Sequence, residues 1–152
     1  MKKINESNNI KLNNVTITAK TICNPSEDLD KVIKSLQNVI NGDPSIKKIK
    51  NETYQIKIKT KYLKSLYPLF NGFRNRGIMN TVKKHLLSQI KNDELLFRLN
   101  KQAAYSNVFS LIEENDSYLG SIEIFLQIEN IEDVIFILTN HSKKINQESI
   151  FR

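Results

Sequence analysis

"VTITAKTI", residues 15–22, and "NPSEDLDKVIKSLQNVING", residues 24–42, set two periods side by side. In the first, Val15, Ile17 and Ala19 alternate with Thr16, Thr18 and Lys20, the period of a half-buried strand. In the second, Leu29, Val32, Ile33, Leu36 and Ile40 recur at three- and four-residue spacing, one apolar stripe of a helix. Asn24 suits an N-cap and Pro25 the first helical position. Glu27, three residues after the cap, completes the pattern of a capping box. Gly42 is expected to stop the helix, and Pro44 to prevent its resumption.

The alternation of strand and helix continues. "SIKKIK" and "YQIKIKT" read as two short strands; in the second, Tyr54, Ile56 and Ile58 alternate with Gln55, Lys57 and Lys59. Residues 61–91 read as helical. Leu63, Leu66, Phe70 and Phe73 share a face, and Pro68 should kink or restart the helix. Gly77 marks a break. Beyond it Ile78, Met79, Val82, Leu86 and Ile90 point inward, while Asn80, Lys84 and Lys91 point out and Lys83 lies on the flank. Strands are expected at 94–99, 107–112 and 120–128, with turn chemistry at Asn115-Asp116-Ser117. A last helix is expected to start at an Asn130 cap, with Glu132 and Asp133 in its first turn and Lys143 and Lys144 near its end. No linker or repeat interrupts the series. We expect a polar lead-in over 1–12, one domain over 13–142 and a tail over 143–152.

The chain has 152 residues, 39% of them hydrophobic, enough for a core without covalent staples. Cys23 is the single cysteine, which excludes an internal disulfide. No apolar run is long enough to cross a bilayer, and the amino end lacks the apolar stretch of a signal peptide. A cytoplasmic protein is expected. The net charge of +7 is unevenly spread: +5 over residues 1–60, +7 over 61–105 and −5 over 106–152. A basic middle suggests a positive surface for a polyanion. The alternative is a solvated charged surface, since outer-face lysines also guard strand edges.

Familiar catalytic patterns are missing. Glycines at 42, 72, 77 and 120 build neither a P-loop nor a dinucleotide-binding turn. Cys23, His85 and His141 have no ligand spacing. Glu113, Glu114 and Asp116 read as a charged turn before they read as a metal site. No catalytic residue, cofactor or metal is expected.

"FRLNKQAAYSN", residues 97–107, begins as a buried strand and then places a charge, an amide and two alanines. At Leu99–Ala104 the chain resembles an archaeal family described as RNA-binding and exosome-subunit-like, through the run Leu-Asn-Lys-Gln-Ala-Ala. Two further landmarks follow the family's order: Asn24-Pro25-Ser26-Glu27, and Ser117-Tyr118-Leu119-Gly120-Ser121-Ile122, the latter without the family's two prolines. The resemblance covers about residues 14–128. It implies a two-layer α+β fold, a mostly antiparallel sheet with helices packed on one face, similar to ribosomal protein L-five. It also implies an RNA-related role without an active site to transfer.

Asn100 and Gln102 can satisfy the backbone of a turn, and Ala103 and Ala104 permit close approach, so the run ties strands to helices. The other reading is a loop that presents Lys101 and Gln102 beside the basic helix. The leading expectation is a non-catalytic protein that binds RNA with low specificity, in a setting such as RNA processing or translation. Its expected basic face combines Lys57, Lys59, Lys64, Arg74, Arg76, Lys83, Lys84, Lys91, Lys101 and Gln102. The alternative is a scaffold that binds an acidic protein. Phe125 and Phe136, both read as outward-facing, suggest a shared patch and a homodimer through residues 120–138.

Overall fold

The computed structural model describes residues 14–113 and 120–140. The expected lead-in and tail, the 115–117 turn, residues 117–119 of the third landmark, His141 and Lys143–Lys144 lie outside them. So do Glu114 and Asp116 of the acidic turn.

Among the described residues, seven strands form one antiparallel sheet: β1 (Thr16–Cys23), β2 (Ser45–Lys50), β3 (Thr53–Thr60), β4 (Ile90–Lys91), β5 (Glu94–Asn100), β6 (Leu111–Ile112) and β7 (Ser121–Gln127). The order is β2-β3-β1-β7-β5-β4, with β6 also on β5. The helices are α1 (Leu29–Val39), α2 (Tyr67–Asn75), α3 (Met79–Ser88), α4 (Lys101–Tyr105) and α5 (Ile131–Leu138); a 3₁₀ turn, Leu63–Leu66, precedes α2.

Register gives the sheet two different faces. Ala19 opposes Ile58 on one side and Ile124 on the other, and Phe97 opposes Ile124. These inward residues join Leu36, Phe70, Phe73, Val82, Leu86, Ile135 and Leu138 in one core. Each fully buried apolar side chain contributes about 1.5–3 kcal/mol. The helices therefore cover one face, in the two-layer α+β arrangement expected. Among the described residues no helix is long and apolar enough to cross a membrane.

Several boundaries differ from expectation. Helix α1 begins four residues late, because Asp28 is its N-cap and accepts from the Asp30 and Lys31 amides. The box contact still forms, Asn24 N–H donating to Glu27 Oε1 at 2.9 Å, but within a separate turn. Pro68 falls in the first turn of α2, where a missing N–H costs nothing, so it restarts the helix. Helix α3 ends at Ser88. Asn92 and Asp93, both at positive φ, make the two-residue turn of a β4–β5 hairpin and convert Ile90 and Lys91 into strand. The 107–112 strand shrinks to Leu111–Ile112. Asn130 precedes α5 in the left-handed region, without a side-chain cap.

Candidate nucleic-acid interface

The 99–104 run is a short helix and its anchor. Asn100 Oδ1 accepts the Ala103 N–H at 2.8 Å, the N-cap bond of α4. At the other end, Asn38 Nδ2 of α1 donates to the Ala104 and Tyr105 carbonyls at 3.0 and 3.1 Å, satisfying acceptors that a helix terminus leaves open. Lys101 was counted in the expected basic face, beside the reading of this run as a tie between strands and helices. Instead it is 3% exposed, and its Nζ donates to the Ile22 carbonyl at 2.6 Å and to Glu27 Oε1 at 2.9 Å. Asn24 also donates to Glu27 Oε1, through its backbone N–H and through Nδ2. A Cβ at Gly120, whose φ is +96°, would lie 3.5 Å from Lys101 Nζ. The three landmarks therefore meet around one ammonium. Satisfying a buried cation requires these partners, so Lys101 is withdrawn from the basic face. Gln102 stays exposed at this end of the molecule.

The remaining cations do not share one face. Lys57 and Lys59 point from β3 to the side of the sheet that the described helices leave open, and Lys91 lies on that side of β4, opposite Glu94. Lys64, Arg74, Arg76, Lys83 and Lys84 belong to the helix layer. Most of these already have internal contacts. Arg76 donates to the Phe109 carbonyl at 2.8 Å, Lys83 sits 5.2 Å over the Phe136 ring, and Lys64 sits 5.8 Å over the Tyr62 ring. Burial pushes the pKa of the half-buried Arg74 guanidinium down, against an opposing pull from Tyr67. The expected aromatic patch is also divided: Phe125 is on the open face of the sheet, while Phe136 is on α5, beyond the core.

On the open face, strand order brings Lys20, Lys47, Arg98 and Glu123 beside the expected Lys57 and Lys59. Lys20 of β1 stands directly opposite Lys57 of β3, and Lys59 opposes Thr18. Lys47 of β2 opposes Gln55 on the same side. Lys20 also opposes Glu123 of β7, which opposes Arg98 of β5. Glu123 lies 3.8 Å from Lys20 Nζ and 3.2 Å from Arg98 Nε. Lys47, Lys57 and Lys59 have no ion-pair partner among the described residues. A depression of about 260 Å³ opens between Thr18, Lys20, Lys57, Leu96, Glu123 and Phe125. Alternation identifies the outward side of each strand; adjacency of β1 to both β3 and β7 brings these side chains together.

A family model described as RNA binding matches residues 16–128. The UPF0201 protein of Thermococcus kodakarensis is 32% identical over 120 residues, covering 78% of this chain and 85% of that protein. The UPF0201 protein of Sulfolobus acidocaldarius is 29% identical over 133 residues, covering 84% and 89%. The crystal structure of the UPF0201 protein from Methanococcus jannaschii covers 83% of this chain and 98% of its own, with a TM-score of 0.71 at 24% identity. A DUF54 protein from Methanothermobacter thermautotrophicus covers 86% and 96%, with a TM-score of 0.58 at 22% identity. Identities this low speak for a common fold. From the length of the family-model match and the Thermococcus likeness, the chain belongs to the family described as RNA binding and groups with the archaeal UPF0201 proteins.

Proposed function

We propose that this protein binds RNA without catalysing a reaction on it, and that the open face of the sheet is the contact surface. One observation carries the choice of face: Lys20 directly opposite Lys57, with Lys47 and Lys59 around them. Like charges opposed across strands destabilise a sheet, and a bound polyanion offsets that repulsion by attracting both. In the helix layer Arg76, Lys83 and Lys64 already have internal contacts, as Lys20 has with Glu123, whereas Lys47, Lys57 and Lys59 have no ion-pair partner among the described residues. Lysines of this kind neutralise phosphates and position the protein without reading sequence. Affinity is then weak and steeply salt-dependent.

The test is fluorescence anisotropy with a labelled RNA strand from about 50 to 200 mM salt. Changing Lys20, Lys57 and Lys59 together to Ala is expected to weaken binding and lower the salt slope by about 0.7–0.9 per lost phosphate contact. Lys83→Ala with Lys84→Ala is expected to change it little. Equal loss in both variants would move the interface to the helix layer. Binding of an acidic polypeptide, with no RNA binding at low salt, would make the partner a protein.

A further inference from the structure

The open face holds an anion and an aromatic ring where phosphate binding needs neither. Building on the RNA-binding reading above, we propose that this face takes single-stranded RNA and reads one guanine, with Phe125 stacking on the base and Glu123 accepting its hydrogen bonds.

The depression lined by Phe125, Leu96 and Glu123 measures about 260 Å³. That is below the roughly 300–1,000 Å³ of sites for drug-sized ligands, a scale that suits one base. Phe125 lies between Thr18 and Leu96 on neighbouring strands, on the side that the described helices leave open. Every base has a π-face, and stacking on an aromatic side chain is a main source of affinity for single strands.

Glu123 chooses the base. A carboxylate amid lysines repels phosphate, so the RNA groups it can contact directly are hydrogen-bond donors. Lys20 and Arg98 hold it in place, at 3.8 and 3.2 Å. Its two oxygens offer about four acceptor positions, so these cations leave room for more donors. Guanine presents two adjacent donors, N1–H and the N2 amino group, in the spacing of a carboxylate. Adenine and cytosine place a single amino donor beside an acceptor. Uracil flanks its one donor with carbonyls that face the carboxylate unfavourably. In a duplex the guanine donors are already paired, and A-form geometry keeps bases from a flat protein surface. The RNA is therefore unpaired where it meets Phe125.

The experiment compares labelled heptauridine with the same heptamer carrying a central guanine, by anisotropy at about 50 mM salt. The guanine strand is expected to bind about tenfold more tightly, as for a bidentate base contact. Inosine, which lacks the N2 amino group, should lose part of that gain. Glu123→Gln should remove the preference, bringing the affinities of the two strands together. Phe125→Leu, which keeps apolar bulk, should weaken both strands several-fold with an unchanged circular dichroism spectrum. Equal affinity for the two strands, or a preference that survives Glu123→Gln, would overturn the guanine site and leave the RNA-binding reading standing. Absence of binding to either strand would overturn the RNA-binding reading itself.

Discussion

Lys101 Nζ lies 2.9 Å from Glu27 Oε1, a contact between positions 74 apart in the chain. It joins the turn before α1 to the start of α4, on a lysine almost wholly removed from water. Breaking a buried pair by removing one partner strands the other charge and costs about 3–5 kcal/mol. Lys101→Ala is expected near the lower end of that range, because Glu27 keeps its bonds to Asn24 and some exposure. Urea unfolding measures the loss. The open sheet face lies elsewhere, so the folded fraction should retain its RNA affinity; a selective loss of binding would return Lys101 to the interface.

Cys23 sits beside the same cluster, 2% exposed, with its thiol 3.7 and 3.8 Å from the Asn24 and Glu27 carbonyls. Burial first, then the Glu27 carboxylate, push its pKa up, while Lys101 pulls it down. The folded state thus holds the thiol proton to higher pH than the unfolded chain does. The associated stability is present below the ordinary thiol pKa and is lost as pH rises through the folded value. Cys23→Ala should flatten the alkaline fall in unfolding free energy. A thiol reagent near pH 8 should label the native protein far more slowly than the urea-unfolded chain.

Gly72 leaves no room for a side chain. A Cβ there would meet Phe109 Cδ2 at 2.5 Å, and Phe109 is a core residue. Gly72→Ala should destabilise the fold by about 1–3 kcal/mol, the usual cost of overpacking. Adding Phe109→Leu to that variant should recover part of the loss, an interaction that a double-mutant cycle would detect.

Strand β2 is exposed along its whole length and, among the described residues, pairs only with β3. Among those residues its outer edge offers backbone groups without a strand partner, alongside the half-exposed Ile46 and Ile49. Lys47, Lys48 and Lys50 guard that edge by charge. Replacing the three with Thr is expected to leave the unfolding transition within about 1 kcal/mol of its original value, since all are exposed. It should nevertheless promote ordered aggregation, measured by light scattering and a fibril-binding dye.

Much of the architecture was legible in local periodicity. The alternation Val15-Ile17-Ala19 and the stripe Val32-Leu36-Ile40 identify what must be buried, because a strand repeats at two residues and a helix near 3.6. Boundaries were less legible. Leu86 and Ile90 fit one helical face in sequence, yet the Asn92-Asp93 turn draws Ile90 into a strand. A pattern of apolar spacing does not register a backbone turn, although that dipeptide carries the signal for one.

Sequence also determined that Lys20, Lys57, Glu123 and Phe125 would leave the core, since each alternates with buried neighbours. It did not determine that they would meet. That required the strand order β3-β1-β7-β5, which brings together residues up to about a hundred positions apart through pairing that no local spacing encodes. Lys101 shows the converse. By type it belongs in water, and only the tertiary placement of Glu27 and the Ile22 carbonyl gives its ammonium enough compensation to be buried.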